Sequence, residues 1–502
     1  MGARAGCSRE QRSVDRLSGQ RAPPAAIIRP VREIETDYLV VGAGASGMAF
    51  TDTLISQSDA EVVMVDRRHR PGGHWLDAYP FVRLHQPSAN YGVASRPLGR
   101  DRIDEFGPNA GFYERSSAAE ICDHFGRALD EVLLPSGRVR FLGQTDYRGV
   151  DGDRHHLVSL LTGAQTTVRV RKKVVDATYV ESSIPSRHRP GFEVGAGVRM
   201  IPPNNLVDLD RPVSDVTVIG AGKTAMDTCT WLLDAGVDPD RIRWIRPRDS
   251  WLFERTYMQP LALVAQFMQM QAHWVEAAAD AEDGGDFAHR LEERGVFVRI
   301  DRTVEPDLFR GATISLGELE SLGTIRRVVR KGKVRRLEQD RVWLDGGEEP
   351  AAPDELFLDC TAAGVRAVAP RPLFEAGRVT LEYVTVGIAP WGAATVAAVE
   401  AGRNDDDVKN KLCPPVVFSG SIADVLGLVY AAMSGLVARV REPDLMAWNE
   451  GCRLNPARGA ADHLDDTRVA DAFASMMTNT GRALRNLKQR APGAAAPLHA
   501  SS

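Results

Sequence analysis

Two glycine-rich segments constrain the fold of this chain more than any other feature. The first reads GAGASG at residues 42–47; it follows an apolar run at 37–41 and precedes a helical stretch at 48–56. A second apolar run, at 61–65, ends at Asp66. This order of strand, glycine turn, helix, strand and acid is typical of a dinucleotide-binding βαβ unit.

Each glycine of the first segment has a physical role. Gly42 permits the tight turn, Gly44 lets the backbone approach a pyrophosphate, and Gly47 lets the helix pack closely on the strand. The start of the helix offers free N–H groups and the positive end of its dipole to the phosphates. Asp66 stands where a carboxylate accepts both hydroxyls of an adenosine ribose. We therefore expect a nucleotide site here.

The same pattern recurs in the middle of the chain. An apolar run at 215–219 leads into GAGKTA, in which Gly220, Gly222 and Ala225 take the three fingerprint positions. Alanine is accepted at the third position, and a helical stretch at 226–234 follows. The chain is thus expected to bind a second nucleotide.

The strand after this second helix, at 241–245, runs into Arg246 and Arg248 instead of an acid. A ribose 2′-phosphate needs cations and is repelled by a carboxylate. The two arginines therefore favour NADP over NAD. The alternative is that both are solvated surface side chains.

Charge and cysteine content exclude several classes of protein. A net charge of -5 on 502 residues gives no electrostatic grip on nucleic acid or anionic lipid, and no apolar run approaches the roughly 20 residues of a membrane span. The six cysteines are scattered with no CxxC, which argues against a disulfide framework, a zinc site and a redox dithiol. We expect a cytoplasmic protein without a metal.

Further motifs give the chain a resemblance to a known superfamily. Apolar runs enter Asp-x-Thr at 174–178 and again at 356–361. With them, the two fingerprints resemble those of flavoproteins with two dinucleotide-binding domains. The acid followed by GGHW at 72–75 is similar to the acid-then-GGxW segment of flavin-containing and Baeyer–Villiger monooxygenases. The resemblance implies FAD and NADPH as cofactors, with Thr361 at a crossing between domains and these FAD-site residues: Asp66, Gly72, Gly73 and Trp75.

The resemblance also implies the domain organisation. It predicts an α/β fold with two Rossmann-like dinucleotide-binding domains, in which an NADP domain is inserted into a split FAD domain. The predicted segments are a disordered leader at 1–34, the first FAD part at 35–209, the NADP domain with a helical insertion at 210–324, the second FAD part with a C-terminal helical region at 325–488, and a disordered tail at 489–502.

Candidate catalytic residues follow the GGHW segment. The stretch at 79–92 is expected to face the flavin, and its His85, Gln86 and Asn90 could hydrogen-bond the flavin ring or a peroxide. His85 is the first choice because it can also move a proton, and His74 has a weaker claim. The alternative is that these polar groups satisfy the backbone of a loop.

Two apolar helices are expected in the second half of the chain. The stretch at 257–279 is rich in methionine and aromatic residues and is interpreted as core rather than as a substrate lid. A second helix, at 422–440, is expected to pack over the flavin end of the FAD domain. No chemistry is assigned to the rest of 365–488.

The leading hypothesis is an NADPH-dependent monooxygenase that acts on a small organic metabolite and dioxygen through a flavin hydroperoxide. The monooxygenase signature F-x-G-x-x-x-H before the second fingerprint is absent, since 189–200 has neither the spacing nor the histidine. A flavin reductase or dehydrogenase that does not activate oxygen is therefore the first alternative, and an FAD-binding sensor is the second. The missing CxxC removes the thiol-reductase branch. Substrate, type of oxygenation and oligomeric state stay open.

Overall fold

A computed structural model describes residues 32–365 and 368–491. Its strands, in chain order, are β1 (Arg32–Val41), β2 (Val62–Val65), β3 (Val139–Leu142), β4 (Thr145–Asp151), β5 (Arg154–Ser159), β6 (Gln165–Asp176), β7 (Glu193–Val194), β8 (Arg199–Ile201), β9 (Val216–Ile219), β10 (Ile242–Ile245), β11 (Ser250–Glu254), β12 (Phe297–Val298), β13 (Leu308–Ile314), β14 (Arg327–Val329), β15 (Val334–Leu337), β16 (Arg341–Leu344), β17 (Gly347–Pro350), β18 (Leu356–Asp359), β19 (Phe374–Glu375) and β20 (Arg378–Thr380).

The α-helices are α1 (Ala45–Gln57), α2 (Ala118–Ala128), α3 (Lys223–Asp234), α4 (Val264–Asp280), α5 (Gly284–Glu293), α6 (Leu316–Gly323), α7 (Ala389–Gly402), α8 (Asp406–Leu412), α9 (Val425–Arg439), α10 (Pro443–Gly451) and α11 (Thr467–Arg490).

The first large sheet contains the first fingerprint. Its central strand β1 pairs in parallel with β2 on one side and β6 on the other, and β3 and β20 extend the sheet outward, also in parallel. Leu39 and Val40 of β1 are fully buried, as expected for a parallel strand covered on both faces. Helix α1 crosses from β1 to β2 and packs against α7. Because β20 and α7 come from late in the chain, the unit is split, as predicted.

The second large sheet contains the second fingerprint. Its order is β14-β10-β9-β18-β8, with all pairs parallel. The predicted segment 210–324 is therefore too short, because β8 lies before it and β14 and β18 lie after it. Strands β15, β16 and β17 separate β14 from β18 in sequence; they pair antiparallel with one another and, with β7 parallel to β15, form a small mixed sheet of their own.

A cluster of helices has a hydrophobic core of its own, separate from those of the two large sheets. Helices α4, α5, α9 and α11 pack on a three-stranded sheet of β12, β11 and β13. Met268, Met270 and Trp274 of α4 are at most 6% exposed, which confirms that this methionine-rich helix is core. Helix α9 contacts α5, α8 and α11, so its cover over the flavin end stays a prediction.

One described helical segment, Ile422–Arg439, is long and apolar enough to cross a membrane by length and composition alone. This is weak evidence, since core helices pass the same test, and α9 packs within the helical cluster. The predicted leader and tail fall mostly outside the described residues. Where they overlap, β1 already begins at Arg32 and α11 continues to Arg490, so the ordered chain exceeds the predicted bounds at both ends.

Candidate nucleotide and active site

The first fingerprint forms a tight turn that leads into α1. Gly42 has a φ of +104°, which favours glycine, and a Cβ on Gly47 would lie 2.0 Å from the Gly42 carbonyl oxygen. Glycine is thus required for the close contact between turn and helix. The amides of Ala45 and Ser46 in the first turn of α1 donate to no protein acceptor in the described part of the chain. They are free to bind a phosphate.

Asp66 follows β2, next to this turn. Its Oδ2 accepts the N–H of Ala43 at 2.7 Å and its Oδ1 accepts the N–H of Arg68 at 2.7 Å. These bonds fix the carboxylate at the end of the strand. An ionised carboxylate has about four acceptor positions, so two remain for a ribose.

The GGHW segment packs directly on the first fingerprint. The amide of Gly72 donates to the Ala43 carbonyl oxygen at 2.9 Å, and a Cβ on Gly73 would lie 2.8 Å from the Cα of Gly44. Gly73 also has a φ of +57°, so both space and conformation call for glycine. Trp75 then reaches the cavity wall, and its Nε1 donates to the Tyr91 hydroxyl at 2.7 Å.

The second fingerprint lines a cavity. Gly220 has a φ of +135°, and a Cβ there would lie 2.5 Å from the Cys360 carbonyl oxygen. A Cβ on Gly222 would meet no atom within 4 Å, and Gly222 lines the cavity. Ala225 is fully buried where α3 meets the strand. The open face at Gly222 and the start of α3 therefore suit a pyrophosphate.

A cavity of about 670 Å³ connects this open face to the GGHW segment. One wall comes from the first unit, and its polar and aromatic residues are His74, Trp75, Tyr79, His85, Gln86 and Tyr91. The opposite wall comes from the second unit, with Gly220, Gly222, Lys223, Arg248 and Thr361. A ligand in this cavity contacts both units.

The start of α7 also borders the cavity, through Gly387 and Ala389. The positive end of this helix dipole therefore borders the cavity, where it would stabilise negative charge on a bound group. This feature was not found from the sequence. The segment has no fingerprint glycines, so only the packing of α7 on α1 reveals it.

The three predicted catalytic residues are placed differently. His85 and Gln86 line the cavity, whereas Asn90 is 3% exposed and lies outside its lining. Burial, reinforced by the charge of Lys223, lowers the pKa of His85 to about 4. Burial and Arg68 lower the pKa of His74 to about 4 as well. Both imidazoles are therefore neutral at pH 7 and can accept or donate a hydrogen bond.

A polar network beside His85 joins the two units. Lys223, the first residue of α3, donates from Nζ to Asp227 Oδ1 at 2.6 Å, and the Tyr79 hydroxyl donates to Asp227 Oδ2 at 2.7 Å. Lysine at a helix start is unfavourable for the helix dipole, and Asp227 one turn later compensates it. The i, i+4 spacing of this pair was visible in the sequence, but the partner tyrosine was not.

The predicted pair of phosphate-binding arginines separates in the structure. Arg246 is 2% exposed; its Nε lies 2.8 Å from Asp249 Oδ1, and its guanidinium stacks 4.6 Å from the Trp244 ring. It is thus buried and paired, which corrects the expectation that it faces a ligand. Arg248 is exposed and lines the cavity.

Thr361 lies at the crossing after β18. Its hydroxyl donates to Asp359 Oδ1 at 2.6 Å, and Thr178 makes the equivalent 2.7 Å bond to Asp176 after β6. His188 Nε2 lies 3.1 Å from the Thr361 hydroxyl. Both Thr361 and His188 line the cavity, and the latter was missed because nothing in its local sequence marks it.

Sequence comparison finds relatives along most of the chain. Residues 40–94 match the family described as NAD(P)-binding Rossmann-like domain. The uncharacterized protein Rv2000 of Mycobacterium tuberculosis is 45% identical over 430 residues, which are 85% of this chain and 78% of that protein. The uncharacterized protein Mb2023 of Mycobacterium bovis gives the same values.

Structure comparison finds flavin enzymes. The polycyclic ketone monooxygenase of the fungus Thermothelomyces thermophila matches with a TM-score of 0.50 at 12% identity, over 93% of this chain and 89% of that chain. A flavin-containing monooxygenase from Stenotrophomonas maltophilia gives a TM-score of 0.43 at 16% identity, over 73% of this chain and 97% of that chain. The likeness to the fungal enzyme shows a shared fold, and it confirms the predicted α/β fold with two Rossmann-like units.

Proposed function

Because the chain belongs to the family of the mycobacterial protein Rv2000 and has the fold of a flavin monooxygenase, we propose that it is an FAD- and NADPH-dependent oxidoreductase. Within that class we propose a monooxygenase of a small organic compound. The observation that carries the proposal is the single cavity between the GGHW segment and the open face at Gly222. It would let two cofactors held by different units meet.

The residues of the first unit fit FAD. The free amides at the start of α1 would bind its pyrophosphate and Asp66 its ribose, while Trp75 and the start of α7 border the space for its ring. When bound, FAD supplies the redox chemistry of the site, which side chains lack.

The residues of the second unit fit a nicotinamide nucleotide. Gly222 and the start of α3 would bind the pyrophosphate, and Arg248 would bind a 2′-phosphate. Arg246 would support this site only indirectly, through its buried pair with Asp249. Of the predicted pair, only the exposed Arg248 thus supports the preference for NADPH over NADH.

The chain's own side chains have further roles in this proposal. Neutral His85 and Gln86 offer hydrogen bonds to the reacting groups, and the network of Tyr79, Asp227 and Lys223 holds the two cavity walls together. The mostly apolar lining would limit the access of water to the reacting groups, which reduces the loss of reducing equivalents as hydrogen peroxide.

The reaction with oxygen separates a monooxygenase from a reductase. The missing histidine signature at 189–200 favours the reductase as the second candidate. FAD-loaded protein is reduced by NADPH without air and then mixed with oxygenated buffer. A monooxygenase delays the return of oxidised flavin and releases less hydrogen peroxide than NADPH consumed in the presence of substrate. Immediate reoxidation with stoichiometric peroxide under all conditions would contradict the proposal.

A further inference from the structure

Strand β13 has a bulge where it borders the cavity. Its register with β11 shifts after Trp251, so that Leu252 faces three residues of β13, 310–312. Gly311, in the middle of the bulge, has a φ of +68°. A β-bulge redirects side chains and is common beside functional sites. Here it places Arg310 on the cavity wall.

The charge of Arg310 has no counter-ion among the residues that the structure describes. Its Nη1 donates to the carbonyl oxygen of Ala363 at 3.2 Å, and no carboxylate of the described residues forms an ion pair with it. Arg310 is exposed at this edge of the cavity, and partial desolvation of its guanidinium together with the nearby Arg248 lowers its pKa. An arginine at the cavity wall that has no carboxylate partner among the described residues favours a bound anion.

An aromatic wall lies next to this cation. The rings of Phe418 and Tyr383 meet edge to face, with their centroids 5.3 Å apart, and both line the cavity. A Cβ on Gly311 would lie 3.5 Å from the Phe418 ring, which places the ring against the bulge. The Tyr383 hydroxyl makes no hydrogen bond within the part of the chain that the structure describes. The surroundings of Arg310 therefore offer apolar contact and one free donor.

The position of Arg310 within the sheet separates it from the ribose end of a nucleotide. Its partner Ala363 follows β18, whereas Arg248 follows β10, and these strands flank β9 on opposite sides. In a Rossmann unit the adenosine ribose lies at the end of the strand after the fingerprint helix, which here is β10. Arg310 reaches toward the other end, where the reactive ring of a nicotinamide nucleotide would lie.

We propose that Arg310, Phe418 and Tyr383 form a substrate subsite for an apolar carboxylic acid with an aromatic ring or a body of similar size. The carboxylate pairs with Arg310, and the apolar body lies against Phe418 and Tyr383. The proposal rests on the proposed function in one respect: this cavity is the active site. It names the substrate class of that site.

The test uses the FAD-loaded protein and two probes of equal shape, phenylacetate and the neutral phenylacetamide, with binding measured by calorimetry. We expect the acid to bind about 10-fold or more tightly than the amide. Arg310→Met should remove this preference and keep the apolar length of the side chain. Arg302→Met is the matched control, because Arg302 is exposed and lies outside the cavity lining. Phe418→Ala should weaken both probes and keep the preference.

A second ligand shows whether the anion that Arg310 binds is a substrate carboxylate or the 2′-phosphate of the nucleotide. Binding of 2′,5′-ADP is measured on the same variants. If Arg310→Met weakens 2′,5′-ADP and leaves phenylacetate unchanged, the arginine binds the nucleotide phosphate and the proposal is overturned. Equal binding of acid and amide by the wild type, or no binding of either, also overturns it. Flavin content and reduction by NADPH are measured separately, so loss of those activities marks a failure of the proposed function and not of the subsite.

Discussion

Gly222 allows the second nucleotide site to be tested with little effect on folding. Its φ is -87°, and a Cβ there meets no atom within 4 Å, so alanine fits both the backbone and the space. Alanine restricts the unfolded chain, which stabilises a protein by about 0.4–1 kcal/mol, but it is a poorer N-cap than glycine by roughly 1 kcal/mol. These effects offset each other. We expect the free energy of unfolding of Gly222→Ala to stay within about 1 kcal/mol of the wild type.

The same methyl group would stand between the backbone and a pyrophosphate. Loss of one hydrogen bond to a charged group costs about 1.5–3 kcal/mol, which raises the Kd for NADP⁺ by about 10- to 150-fold. Calorimetry on FAD-loaded protein measures the Kd, and urea unfolding measures the stability. Gly323→Ala is the matched control, since its Cβ also meets nothing within 4 Å and it lies outside the cavity lining. An unchanged Kd for Gly222→Ala would refute the placement of the nucleotide.

Three further predictions concern single charged groups. Asp66→Ala should weaken FAD binding about 10-fold or more, and full flavin retention after dialysis would refute the ribose contact. Arg248→Ala should raise KM for NADPH but not for NADH, whereas Arg246→Ala should mainly lower the urea midpoint; equal KM changes would contradict the assignment. Glu382 is 6% exposed, and burial raises its pKa to about 7, so its contribution to stability is lost as pH rises through 7. Glu382→Gln should therefore be up to about 3 kcal/mol more stable than the wild type at about pH 9 and nearly equal at about pH 5, and a pH-independent difference would exclude this titration.

Local features made the nucleotide units predictable from sequence. The turns at Gly42 and Gly220 need positive φ angles and close contacts with the adjacent backbone, and only glycine satisfies both. The positive φ is a local property of each turn, whereas the close contacts are with Thr178 and Cys360, far along the chain. The local pattern of strand, turn and helix therefore predicted both turns, and the nucleotide sites at them stay predictions.

Features that depend on long-range packing were missed or wrong. The bulge that places Arg310 and the start of α7 near Ala389 arise from contacts between distant segments. Arg246 was assigned to a ligand from its position after β10, but the i, i+3 pair with Asp249 already indicated a buried partner. The predicted bounds of the second sheet were wrong for a similar reason, since β18 joins this sheet only after β15, β16 and β17 have formed another one.

An anaerobic titration of the FAD-loaded protein with NADPH, monitored by the absorbance of oxidised flavin, tests whether the two nucleotide units act together. We expect stoichiometric loss of this absorbance, at lower concentrations of NADPH than of NADH, if both cofactors meet in one cavity and Arg248 binds the 2′-phosphate. Flavin that stays bound and oxidised in excess NADPH would contradict the claim that the two nucleotide units act together.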